Sequence, residues 1–148
     1  MDRAQFTSAD FSCVPHDISA ELPERLLHRD VLRGSVAGDN AFSEVRNHLV
    51  RVVDLPSRVL SVTIGGLEVG QTTRRHRHNY ETVIYVLEGR GVSLIGEREV
   101  HWQSGDAFYV PPWAWHNHRN NGSGPATYIA CENAPLLQNL GVAVREEA

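Results

Sequence analysis

The chain has little cysteine, no long apolar run and no excess of positive charge. Only Cys13 and Cys131 occur in 148 residues, far apart and without a Cys-x-x-Cys spacing. Neither a thiolate zinc site nor a disulfide framework is indicated, and both are expected to be free, packing thiols. No stretch approaches the roughly 18 apolar residues of a membrane span, and the opening Met1-Asp2-Arg3-Ala4-Gln5-Phe6 lacks the apolar core of a secretion signal. A cytoplasmic protein with no membrane contact is expected. The 14 Lys and Arg against 18 Asp and Glu leave a net charge of −4. No basic tail or arginine stripe interleaved with aromatics accompanies them, so a nucleic-acid partner is not expected.

At this length one domain can bury a real core. Residues 1–40 read as an arm: Pro15, Pro23, Gly34 and Gly38 break periodicity, and only residues 21–28, with Pro23 in a first turn, offer a short helix. The remainder, 41–148, reads as a barrel. Short β-branched runs at 49–53, 59–64, 82–87, 92–95, 107–110 and 127–131 are separated by turn chemistry such as Gly65-Gly66, Gly89, Gly96-Glu97 and Gly105. No helical pattern intervenes to build a parallel sheet, so an all-β antiparallel sandwich or barrel is expected. The tail from 134 to 148 holds one further strand candidate, around 140–144.

Two histidines stand out. If His76 and His78 lie on one strand, the two-residue side-chain period puts both imidazoles on one face. A barrel can then bring His116, from Pro111-Pro112-Trp113-Ala114-Trp115-His116-Asn117-His118, beside them as a third nitrogen ligand. His16, His28, His48 and His101 have no partner at metal spacing and are expected on the surface or on strands.

The stretch from Gly70 to Gly89, with His76-x-His78, resembles the first sequence motif of the cupin superfamily. The stretch from Gly105 to Asn120, with Pro111, His116 and Asn120 at the motif positions, resembles the second. The resemblance implies a single antiparallel cupin barrel, a double-stranded β-helix or jelly roll. It also implies a homodimer built by adding or exchanging an N-terminal strand, which would protect an exposed edge.

Two departures carry information about chemistry. The position that usually holds a metal-binding glutamate is Thr82; Glu81 comes one residue early and faces away unless a bulge or turn at Asn79-Tyr80 rotates it inward. In the second motif Trp113 stands where many cupins have glycine. The resulting Trp113-x-Trp115-His116-x-His118 run is similar to the gentisate 1,2-dioxygenase and hydroxynaphthoate dioxygenase branch, which uses three histidines without a glutamate. That resemblance covers about one domain of chains more than twice as long.

An open three-imidazole face suits Fe(II), although Zn, Ni or Mn could occupy it in purified protein, because ligand count does not name the metal. A bound phenolate or enolate would donate electron density to the metal and O2 would accept it, so the favoured activity is a non-haem Fe(II) dioxygenase for a small hydroxylated aromatic or enolisable acid. The alternatives are a non-catalytic ligand-binding or sensing cupin, and a non-oxidative isomerase or lyase. His118, two residues past His116, shares its face and is the acid or base candidate. Arg74, inward by parity, is the candidate for a substrate carboxylate, and Tyr80, Trp113 and Trp115 are candidates for lining the pocket. By default the tryptophans close the barrel core and Asn120 stabilises a turn.

Overall fold

In a computed structural model, residues 19–33 and 39–148 are described. Helix α1 (Asp39–Arg46) leads into β1 (Leu49–Val52) and β2 (Ser61–Leu67). Then come β3 (His76–His78), β4 (Thr82–Glu88), β5 (Arg90–Ile95), β6 (Arg98–Gln103), β7 (Ala107–Val110), β8 (His116–Arg119) and β9 (Ala126–Glu132). A short α2 (Ala134–Asn139) and β10 (Arg145–Glu147) end the chain. Two five-stranded antiparallel sheets result, in the orders β1-β2-β9-β4-β7 and β10-β3-β8-β5-β6.

The alternation in the sequence produces the layers. Along β4, Thr82, Ile84 and Val86 are buried while Val83, Tyr85 and Leu87 are exposed. Leu67, Val110, Tyr128 and Trp102 complete the core with them. Burying a side chain of this size contributes about 1.5–3 kcal/mol, so the inward positions of β4 and β9 hold the two sheets together.

The six anticipated strand runs are present with small changes at their ends. Four expectations differ. Gly65 and Gly66 lie within β2, not in a turn: a Cβ on Gly65 would clash with the phenol end of Tyr128, so this glycine lets the aromatic side chain of the neighbouring strand lie across it. Residues 21–28 form no helix. Leu22, Leu26 and Leu27 are exposed there, and a short helix without an apolar surface to pack on is not stable by itself. The segment is instead tied to the loop after β1, with Arg25 2.7 Å from the Asp54 carboxylate and the Asp54 N–H donating to His28 Nδ1 at 3.0 Å.

The last strand falls at Arg145–Glu147 rather than around 140–144, because the turn that closes α2 engages the N–H groups of Leu140, Gly141 and Val142 and Asn79 fixes the register. Asn79 Nδ2 donates to the Val142 carbonyl, and its Oδ1 accepts from the Val144 N–H, each at 2.8 Å. Cys131 is exposed rather than packed, while Cys13 and His16 lie outside the described residues. Among the described residues no helix is long and apolar enough to cross a membrane.

Candidate metal centre

Strand β3 is three residues long and sits between β10 and β8. Its alternation buries His76 and His78 and leaves Arg77 at the surface side. His116 opens β8 directly opposite His76 in the antiparallel register. One ring nitrogen from each histidine falls within 4.8 Å of the others. The ring centroids of His76 and His116 are 4.2 Å apart and those of His78 and His116 4.8 Å.

Backbone carbonyls decide which nitrogen is available. His76 Nδ1 lies 2.9 Å from the Arg74 carbonyl, His78 Nδ1 2.9 Å from that of Tyr80, and His116 Nδ1 2.8 Å from that of Ala114. A carbonyl only accepts, so each Nδ1 carries the proton and each Nε2 keeps its lone pair. Burial, followed by the neighbouring His116, lowers His76 to about 2 and His78 to about 4. Burial also lowers His116. Three neutral imidazoles with free Nε2 atoms are the form a divalent metal binds.

His118 differs. It is buried, and its Nδ1 lies 2.7 Å from Ser93 Oγ, which also accepts from the Trp102 indole N–H at 2.8 Å. The Ser93 hydroxyl proton has His118 Nδ1 as its acceptor, which leaves the proton of His118 on Nε2. His118 is therefore the opposite tautomer to the other three, a donor rather than a lone pair at the cavity it lines.

Glu81 does not join the cluster. It is exposed, its Oε1 accepts from the Tyr109 hydroxyl at 2.7 Å, and no turn at Asn79-Tyr80 brings it inward. The inward neighbour is Thr82, whose hydroxyl donates to Glu132 Oε1 at 3.3 Å.

Several pocket assignments also shift. Arg74 is exposed and outside the cavity wall, because parity cannot be extended upstream of β3 through an irregular segment. Trp113 and Trp115 do not line the cavity either. They sit on the outer face, where the Arg77 guanidinium lies 4.4 Å from the Trp113 ring and 4.6 Å from that of Trp115. Trp113 has φ of 65°, a left-handed conformation that explains why glycine is common there. Its N–H donates to the His78 carbonyl at 2.6 Å. Tyr80 stacks on the His78 ring at 3.9 Å and 2°, propping this ligand from behind instead of lining the cavity.

The cavity, about 40 Å³, has walls that the motifs do not reveal. Arg46, His48, Glu132 and Arg145 line it together with the histidines. His48 is buried, not superficial: its Nδ1 donates to the Arg46 carbonyl at 2.9 Å and its Nε2 accepts from the Tyr128 hydroxyl at 3.0 Å. Burial raises the Glu132 carboxyl. The signal for Glu132 was readable, since it extends the inward series Ala126, Tyr128, Ala130 of β9. Arg46 and Arg145 had none, because they reach the cavity from α1 and β10, which lie outside both motifs.

A family profile described as "Cupin domain" matches residues 64–131, the segment that holds all three ligand candidates. The match covers just under half of the chain, and over it these residues resemble a cupin domain. Relatives of this chain include the 5-aminosalicylate 1,2-dioxygenase of Comamonas sp, 36% identical over 78 residues, covering 53% of this chain and 20% of the relative. The gentisate 1,2 dioxygenase 1 of Aquipseudomonas alcaligenes is 27% identical over 141 residues, 88% of this chain and 38% of that one. The chain thus spans well under half of the length of these two relatives. The fold is that of the salicylate 1,2-dioxygenase from Pseudaminobacter salicylatoxidans, with a TM-score of 0.64 at 20% identity over 78% of this chain and 38% of the other. It is also that of a cupin-2 domain from Rhodospirillum rubrum, with a TM-score of 0.55 at 20% identity over 60% and 61% of the two chains.

Proposed function

We propose that this cupin is a non-haem Fe(II) dioxygenase for a small hydroxylated aromatic or enolisable acid. The observation that carries the reading is the convergence of three Nε2 lone pairs with no carboxylate among them. The relatives named as aminosalicylate, gentisate and salicylate dioxygenases support it. His76, His78 and His116 would hold the metal, and their neutral, pre-oriented rings fit a divalent ion. Iron held there supplies a meeting point for O2 and an electron-rich substrate. The chain's own groups do the rest: His118 offers its Nε2–H to a substrate oxygen, and Tyr80 keeps the His78 ring in place. Zn, Ni or Mn are alternative occupants of the same ligands.

Residues 41–148 form the barrel of this proposal and residues 1–40 the arm. A homodimer fits the exposed outer face of β4 and β7, where Val83, Tyr85, Leu87 and Tyr109 cluster. A cytoplasmic setting fits the free, exposed Cys131.

The test is anaerobic Fe(II) reconstitution followed by O2 uptake with a panel of hydroxylated aromatic acids and small enolisable acids. Uptake coupled to loss of one acid supports the reading, and silence across the panel removes it. One observation favours a second reading. A cavity of about 40 Å³ is smaller than the roughly 150 Å³ that admits benzene, which suits a binding cupin or a non-oxidative isomerase or lyase acting on a small acid. Product formation without oxygen would select the isomerase or lyase, and binding without turnover would select the passive binder.

A further inference from the structure

Strand β10 lies beyond the segment matched as a cupin domain, yet it forms a wall of the site. Its register places Arg145 directly opposite His78 and Glu147 directly opposite His76. Residues paired in this way share a face, with Cβ atoms about 4.5–5.5 Å apart. The Arg145 guanidinium lines the cavity and lies 3.5 Å from the Tyr80 hydroxyl. The three-histidine face is therefore flanked, one strand away, by a planar cation built to take a carboxylate.

That cation is held by an imperfect partner. Arg145 Nε and Nη2 both approach one oxygen of Glu147, Oε1, at 2.8 and 2.7 Å. The other oxygen, Oε2, is buried with no hydrogen-bond partner among the described residues. A fork-to-fork pair would use both oxygens. Here one carboxylate oxygen is desolvated without compensation, which weakens the internal pair relative to an incoming acid that can engage both arms. Glu147 comes from the same short edge strand, and its side chain is 30% exposed.

We infer that Arg145 is the carboxylate-binding residue of the three-histidine site, and that Glu147 is an internal stand-in which the carboxylate of the ligand displaces. The ligand class is a carboxylic acid with a second oxygen placed to reach the metal, such as a 2-hydroxy acid or an ortho-hydroxylated aromatic acid. This rests on the proposed metal site and names the feature that selects acids over neutral analogues. Arg74, the earlier candidate, faces solvent.

The experiment uses full-length protein loaded with Zn(II), which binds without turnover, and calorimetric titration with two pairs of ligands: salicylate against salicylamide, and lactate against lactamide. The smaller pair covers a cavity that admits only small molecules. Wild type is expected to prefer acid over amide by about tenfold or more, the scale of a charge-assisted pair. Arg145→Met should bring the ratio to about one with zinc stoichiometry unchanged. Arg145→Lys, which keeps the charge and loses the fork, should fall between. Glu147→Gln is a milder variant at the edge of the sheet. It should tighten acid binding several-fold and leave the amides unchanged, so the inference is testable even if Arg145→Met fails to fold.

An acid-to-amide ratio in Arg145→Met equal to that of wild type, or Glu147→Gln binding acids no more tightly, overturns the inference. Failure of wild type to bind either acid overturns it too. Oxygen uptake by the Fe(II)-loaded protein is a separate measurement: acid binding through Arg145 without uptake removes the dioxygenase reading and keeps this one.

Discussion

Replacing Ser93 by alanine tests whether one buried hydroxyl sets the state of His118. Ser93 is fully buried and stands between Trp102 and His118, accepting from the indole at 2.8 Å and lying 2.7 Å from the imidazole. Without Oγ, the Trp102 N–H loses its acceptor and His118 Nδ1 loses its donor, in a region where both rings are buried. Each orphaned buried group costs about 1–3 kcal/mol, so Ser93→Ala should lose about 2–6 kcal/mol. For a chain of this length each kcal/mol lowers the melting temperature by about 2–4 °C, giving a drop of about 4–24 °C. Released from Ser93, His118 can place its proton on Nδ1, so turnover should fall by about ten- to a hundredfold while metal stoichiometry holds. Scanning calorimetry, elemental analysis and the oxygen electrode measure the three quantities. A stability loss below about 0.5 kcal/mol, the level of an ordinary surface change, would show that the hydrogen-bond chain is not what holds His118.

Three more outcomes follow from the geometry. His116→Ala should abolish metal retention, whereas His118→Ala should keep the metal and lose turnover; equal metal loss in the two would refute the assignment of His118 as a donor. Glu81→Gln should leave metal content unchanged, because this carboxylate bonds Tyr109 on the outer face, and metal loss in that variant would restore it as a ligand. For metal-free protein the pH dependence has a definite sign. Folding lowers His76 to about 2 and His78 to about 4 from 6.5 and also lowers His48, His116 and His118. Below 6.5 the unfolded chain therefore binds more protons than the folded one, and stability present above that pH is lost as the pH falls towards 4. Melting temperatures across this range should fall with acid and stay level above neutrality; a flat profile would refute the buried neutral state.

How much of the site was readable follows from the range over which each signal acts. The His76-x-His78 pair is a local statement, since a strand period of two needs only three residues, and both imidazoles are buried on one face as that period requires. The position of Glu81 is equally local: regular alternation from Thr82 onward puts it outside. Arg74 was misplaced because the same parity was carried across residues that are not strand. Trp113 and Trp115 were misplaced because an aromatic residue reads as core unless the cations that cover it are known, and Arg75 and Arg77 became their neighbours only when β3 and the loop before β8 came together.

The sequence alone therefore determined the antiparallel β architecture, the three histidines and the absence of a carboxylate at the motif position, because side-chain alternation and turn chemistry act over a few residues. Only the tertiary structure decided what surrounds them. His48, Glu132, Arg145 and Glu147 meet the site through pairings between segments up to about a hundred residues apart, and no periodicity encodes which edge a final strand of three residues will join. The protonated nitrogen of each histidine was settled at the same level, since it depends on the carbonyl or hydroxyl that folding places beside the ring.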